Sequence, residues 1–419
     1  MAMVDAGDAE ETLKKLSLQD LDGDLEDEED AGKKQKRGWF SSVGKGISKR
    51  GTRVGGIFSN SKQDEDLADK LARVKNCRSP AASASGGVAN LDPESAKACR
   101  SVLSLMVRQM GKNLLKGGAV MNVSFPIQCC QPMTILEIAA KQAGLFHLYL
   151  PRANKAQDPL ERMKNVVACF ISGMALTSGN FLKPLNPLLG ETLQVQYDDG
   201  SSAFLEQTCH HPPVSSFLLE GPQKLYRYYG YTTFEIGFGY NKMLLKNTGL
   251  RVLEFEDGGR IDIGFPADRW GNVFWGEMHH ETLGEWDFTD EASGVRASIM
   301  FDADRKGSKI PSDSFVGFIE RFSATDPDKD GTKVCTIEGS WVGYCDFDSQ
   351  RYWDHAKLTR VPHASARSKL PSDSTNRADR NALEASDYKE AQAQKTALEE
   401  VQRAERKLRE SGGGLGKKS

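Results

Sequence analysis

The sequence predicts an α+β fold, mainly β, in which one large antiparallel sheet makes up most of the folded body. Three observations predict it. After Gly190, some ten strand-like runs rich in β-branched and aromatic residues follow one another in about 160 residues, separated by Gly, Asp, Asn and Pro clusters. Ahead of that region the apolar positions recur at helical spacing, and helical, highly charged sequence returns from about residue 377 to 410. The first 95 residues are polar and charge-segregated, and they read as an arm outside the body.

Taken in order, the arm begins with thirty residues that hold twelve acids and two lysines, too charged and too poor in apolar residues to fold alone. Residues 33–53, "KKQKRGWFSSVGKGISKRGTR", then carry eight Lys or Arg and no acid. On a helix, Trp39, Phe40, Val43 and Ile47 would share one face, the composition of an anchor for anionic lipids. Its glycines oppose a helix, so a basic linker is the competing reading. The polar stretch 59–95 leads to a boundary near residue 95, a body over 96–410 and a mobile tail over 411–419. Within the body, Val102, Leu105, Met106, Met110 and Leu114 mark an amphipathic helix. Helices are also expected at 133–143 and 160–176, the latter apolar enough to be buried. A sheet of the size that follows must curl or close, because open edges pair with other chains, and large barrels can enclose a ligand.

Composition narrows the function. With 27% charged residues and a formal net charge of -3, nothing global attracts nucleic acid. The eight cysteines lack the paired short spacings of a zinc site and the density of a secreted scaffold, which fits reduced thiols in a cytoplasmic setting. The start has no apolar signal core, and no apolar run approaches the ~20 residues that span a bilayer, so membrane contact is expected to be peripheral. No GxSxG elbow, HExxH helix or phosphate loop with Lys-Ser/Thr is present, and no catalytic residue or cofactor is assigned. Asp326, Asp328, Asp330 and Gly331 imitate a calcium loop, but its twelfth position is Ile337 and Glu338 comes one residue late. A surface turn is the better reading.

Three stretches carry chemistry. In "EQTCHHPPVSSF" (206–217), Pro212 and Pro213 fix the backbone beside His210 and His211, whose imidazoles can donate to an anion near neutral pH. With no spacing that demands a metal and no partner for catalysis, an anion handle and a rigid turn both stay open. "KPLNPLLGE" (183–191) presents Lys183 and Asn186 from a backbone stiffened by two prolines. On the last helix, Lys395, Glu399 and Arg403 are spaced i, i+4, i+8 and share one face, either as a solvated salt-bridge ladder or as a binding face.

These motifs resemble the oxysterol-binding protein family. "EQTCHHPP" is similar to its EQVSHHPP fingerprint, and "DPLERM" (158–163), "KPLNPLLGE" and the run from "LPSDSTNRADR" to "EEVQR" resemble its other motifs, in the family's order. The resemblance covers roughly residues 97–410 and implies an incomplete β-barrel around an apolar lipid tunnel, with an N-terminal lid and a long C-terminal helix. It implies a cytoplasmic, peripherally membrane-associated monomer that binds phosphatidylinositol 4-phosphate and exchanges it for a second lipid, sterol or phosphatidylserine. A sensor or scaffold responding to the same lipids is the alternative. Carried over, the head group would be held by Lys183, Asn186, His210, His211, Lys395, Glu399 and Arg403, with Leu185 at the tunnel entrance. Glu399 would accept from inositol hydroxyls or orient its Lys and Arg neighbours. Thr208 and Cys209 depart from the fingerprint's Val and Ser, and strand alternation would turn one of them inward. With no room for a pleckstrin-homology domain in the arm, this reads as a short form targeted by its basic residues 33–53 or its lid.

Overall fold

The structure, a computed structural model, describes residues 77–84, 86–110, 126–179, 181–210, 212–239, 241–302, 311–323, 331–357, 365–366 and 370–412. The basic arm, the tail after 412, His211 and the calcium-like Asp326, Asp328 and Asp330 lie outside them. The strands are β1 (Val88–Ala89), β2 (Cys130–Thr134), β3 (Lys183–Leu185), β4 (Thr192–Gln196), β5 (Ser202–His210), β6 (Pro213–Glu220), β7 (Tyr226–Gly239) and β8 (Lys242–Phe255). They continue as β9 (Arg260–Ile263), β10 (Ala267–Gly271), β11 (His279–Asp290), β12 (Val295–Asp302), β13 (Ser314–Arg321), β14 (Thr332–Ser340), β15 (Tyr344–Phe347), β16 (Gln350–Asp354) and β17 (Ser365–Ala366). The helices are α1 (Pro93–Met110), α2 (Ile135–Gln142), α3 (Phe146–Lys155), α4 (Pro159–Thr177), α5 (Ala378–Glu384) and α6 (Tyr388–Gly412).

Among the described residues, fifteen strands form one antiparallel sheet, ordered from β16 back through the chain to β4 and ending on β17. Nearly every neighbour in space is a neighbour in sequence, which is the pattern hairpin connections produce. The end strands β16 and β17 are not paired with one another, so the sheet is a large incomplete barrel. Among the described residues only β2 and β3 stand apart, as a small parallel pair.

The expected strands are found, and the longest exceed their sequence signal. β7 and β8 pair from Tyr226↔Phe255 to Gly239↔Lys242, although alternation marked only the second half of β8. The first half, "KMLLKNTG", breaks alternation with Lys246, Asn247 and Gly249, and its strand state comes from pairing with β7 and β10. Gly230 and Gly249 are needed where these strands coil. A Cβ on Gly230 would sit 1.8 Å from the Leu250 carbonyl, and one on Gly249 2.2 Å from that of Tyr231. Asn241, at φ 51°, turns the hairpin and ties it to the next loop, its Oδ1 accepting from the amides of Phe274 (2.9 Å) and Trp275 (3.3 Å).

α4 is the helix of the core, as its apolar sequence predicts. Asp158 caps it by accepting from the Leu160 amide at 3.0 Å, and Pro159 occupies a first-turn position that needs no donor. Met163, Val166, Val167, Phe170 and Ile171 are buried against α3, β12, β15 and β16. Arg162 closes the packing by pairing with Asp257 and stacking on Phe255 at 4.9 Å.

Two expectations change. The C-terminal helix expected over 377–410 is broken into α5 and α6, with Ser386 at φ 61° between them. Residues 77–84 and 86–90, inside the stretch that composition assigned to the polar arm, pack on the body. Val88 and Ala89 pair with His280 and His279 of β11, and Arg78 binds the buried Asp313 at 2.6 Å. Short strands held by single buried ion pairs leave little trace in composition.

Candidate functional site

Inside the sheet, between its concave face and helices α2 and α4, lies a cavity of about 500 Å³. This is within the usual range for small-molecule sites, roughly 300–1,000 Å³. Its walls are largely apolar. Phe146, Phe170, Phe217, Tyr228 and Trp286 line it, with Phe170–Tyr228 centroids at 5.3 Å and Phe217–Tyr228 at 4.8 Å.

Polar residues gather on one part of this wall: Lys183, Asn186 and His210 all line the cavity. Lys183 comes from β3, Asn186 from the turn that follows, and His210 from the last position of β5. Two backbone bonds lock the "KPLNPLLGE" turn to the histidine strand, since Gly190 donates to Gln207 and Gln207 to Glu191, each at 2.9 Å. Gly190 permits this at φ 77°.

Beneath the turn is a buried ionic network. Arg377 donates to the Asn186 carbonyl at 2.7 Å and to Glu191 at 3.0 Å, and grips Asp379 through two bonds of 3.0 and 2.7 Å. Ser374 donates to the other Glu191 oxygen at 2.6 Å. Burial pushes the Glu191 carboxyl up, while Arg377 opposes the shift. Sequence reasoning missed Arg377 and Glu191 as positioning residues, although both lie within the quoted motifs. An alternating Arg-Ala-Asp run ahead of a helix was their one visible trace.

Lys183 is half-buried and donates to Asn186 Oδ1 at 2.8 Å and the Pro184 carbonyl at 3.2 Å. Burial lowers its ammonium pKa to about 8; Lys395 and Arg377 push the same way, against Cys130 and Glu399. Lys395 and Glu399 of α6 thus act on the site electrostatically, although neither they nor Arg403 line the cavity. Lys395, 9% exposed, donates to Glu399 at 2.6 Å, and Arg403 donates to the other Glu399 oxygen at 3.2 Å. Glu399 thus accepts from both of its α6 neighbours, one through each carboxylate oxygen.

Leu185 is not at the cavity wall as expected. It is 2% exposed and packs with Ile127, Cys130, Leu383 and Ala391 in a separate cluster that joins β3 to α5 and α6. Neither Thr208 nor Cys209 faces the cavity. The pairing slips between Gln207 and Cys209, and this bulge breaks the alternation that would have turned one inward. Thr208 instead bonds Ser216 at 3.0 Å on the exposed side. Another adjacent histidine pair, His279 and His280 at the start of β11, is already engaged with carboxylates: His280, at the cavity wall, with Asp268 at 3.1 Å, and His279 with Glu281 at 3.5 Å.

A desolvated ammonium near neighbouring cations gains most from a multivalent anion. Because anion binding favours the protonated form, affinity for a phosphate-bearing ligand is expected to hold below pH 8. It should then fall by up to about tenfold per pH unit above that. Dissociation constants measured from pH 7 to 9.5 check this, and Lys183→Met should flatten the fall.

A family model described as oxysterol-binding protein matches residues 101–417. Oxysterol-binding protein 9 of Dictyostelium discoideum is 31% identical over 371 residues, covering 84% of this chain and 84% of that protein. Oxysterol-binding protein-related protein 2B of Arabidopsis thaliana is 27% identical over 356 residues, 77% of this chain but 48% of the plant protein, so the chain spans about half of that relative. Among solved structures, the Osh1 ORD domain in complex with cholesterol superposes with a TM-score of 0.62 at 21% identity, covering 80% of this chain and 85% of that one. The Osh3 ORD in complex with PI(4)P from Saccharomyces cerevisiae gives 0.62 at 24% identity, with 77% and 88% covered.

Proposed function

This chain belongs to the oxysterol-binding protein family, and we propose that it is a carrier that takes phosphatidylinositol 4-phosphate from one membrane and exchanges it for a second lipid from another. The observation that carries the reading is the polar end of an apolar cavity, where Lys183, Asn186 and His210 meet walls of aromatic side chains. Acyl chains belong against those walls, and the phosphorylated inositol belongs against the cations. A 4-phosphate near charge -2 needs several charged donors, each worth about 1.5–3 kcal/mol when desolvated. Lys183 supplies one at the wall, Lys395 stands behind it, and His211 and Arg403 complete the set in this reading. Glu399 keeps Lys395 and Arg403 apart and aimed, and no bond is made or broken.

Sterol is the second cargo in this reading, with phosphatidylserine next. Like-folded domains are solved with both ligand classes, Osh1 with cholesterol and ergosterol and Osh3 with PI(4)P, which supports a fold able to take either kind of lipid. The protein works as a cytoplasmic monomer on membrane surfaces, which its basic residues 33–53 help it reach. Among the described residues no helix is long and apolar enough to cross a membrane. Mass spectrometry of lipids that co-purify with the full chain is expected to find phosphatidylinositol monophosphate and a sterol. Finding only lipids without a phosphorylated head group would contradict the phosphoinositide half of the proposal.

A further inference from the structure

A second polar element lines the same cavity away from the phosphate-facing residues. Arg251 sits in β8 opposite Gly230, in the cross-strand row Leu205, Phe217, Gly230, Arg251. Leu205 is five residues before His210 on β5, so along that strand this row lies up to about 17 Å from the histidine at ~3.4 Å per residue. The guanidinium lies flat on Phe265, its carbon 3.7 Å from the ring centre, with Trp286 at 5.6 Å. Those rings cover its π-faces, and the Tyr228 hydroxyl hydrogen-bonds the guanidinium, which leaves one edge unmet.

The unmet edge is specific. Nε and Nη2 of Arg251 are buried and have no hydrogen-bond acceptor among the described residues. These two atoms carry parallel N–H bonds along one side of the guanidinium, the fork that takes both oxygens of a carboxylate. The nearby carboxylate, Asp268, is already engaged, its Oδ1 accepting from Thr282 at 3.1 Å and lying 3.1 Å from His280 Nε2. Burial lowers the pKa of Arg251, while the Tyr228 hydroxyl and Asp268 oppose that shift. A buried cation with an open fork is costly unless something completes it.

We infer that Arg251 is a second ligand site within the cavity, built for the carboxylate of an acidic, otherwise apolar lipid whose acid end enters first. The inference rests on reading the cavity as a lipid site, and it adds a ligand class to that reading. Such a lipid would lie with its chain against the aromatic wall and its acid away from Lys183.

The probes are oleate and oleyl alcohol, which share a hydrocarbon chain and differ in the carboxylate. Titrated into the full chain at pH 8, oleate is expected to bind about tenfold tighter or more, the ratio a charge-assisted fork gives over a neutral hydroxyl. Arg251→Met should bring the two within about twofold, and Arg251→Lys, which keeps the charge without the fork, should fall between. Equal affinity in the wild-type protein overturns the inference without any variant, as does a full preference surviving in either variant. Phosphatidylinositol 4-phosphate extraction by the same wild-type preparation separates the two claims. Extraction without an oleate preference sinks only this inference, whereas an oleate preference without extraction sinks only the phosphoinositide reading.

Discussion

Replacing Arg377 with Met is expected to cost about 3–5 kcal/mol of stability, the scale of removing one partner from a buried ionic network. The Arg377, Glu191 and Asp379 side chains are 8%, 2% and 0% exposed, so water cannot replace the lost guanidinium. Glu191 also holds the turn through the Leu188 amide at 2.8 Å, and Arg377 holds the Asn186 carbonyl. The substitution should therefore loosen the segment that presents Lys183 and Asn186, and lipid binding should weaken along with stability. The deficit has a pH signature. Without Arg377, the folded-state pKa of Glu191, already raised by burial, rises further above its unfolded value. The stability linked to that proton is present at low pH and lost as pH rises, so the deficit should narrow from pH 8 toward pH 5. Urea unfolding at both pH values measures it. A loss under about 1 kcal/mol, or one that widens toward acid, would show the network is not what holds the turn.

At the phosphate-facing residues, Lys183→Met is expected to reduce extraction of phosphatidylinositol 4-phosphate from liposomes by about tenfold to a hundredfold, the loss of one desolvated charge-assisted bond. His210→Ala should act in the same direction. Arg403→Ala should cost only a few-fold, because that side chain is 63% exposed and already shared with Glu399. The ranking separates a cavity-mouth site from a generally basic surface, where each lost cation would count alike. Comparable losses at Lys183 and Arg403, with urea midpoints unchanged, would move the head group off the cavity and onto the face of α6.

Much of this was legible in the sequence, for physical reasons that differ by element. The sheet after Gly190 and the buried helix α4 are written in local periodicity, and the family resemblance implies one site for Lys183, Asn186 and His210, which all line the cavity. Contacts between distant segments were harder to read. The first half of β8 is a strand because β7 and β10 pair with it, and Val88–Ala89 is one because β11 does. Leu185 was expected at the cavity, but a cluster with Leu383 and Ala391, some two hundred residues later, takes it away. A one-residue bulge at Gln207 and Cys209 defeats alternation, since a single slip turns side chains to the other face. Arg377 and Arg251 were overlooked because a buried arginine and a solvated one look the same in sequence. Burial and unmet hydrogen-bond edges distinguish them, and both are properties of the folded chain.

The most direct measurement is transfer of phosphatidylinositol 4-phosphate between two liposome populations, with and without sterol in the acceptor. The carrier reading predicts catalytic transfer by the full chain, faster when sterol is present to return, and lost with Lys183→Met. Stoichiometric binding with no net movement between the populations would contradict it.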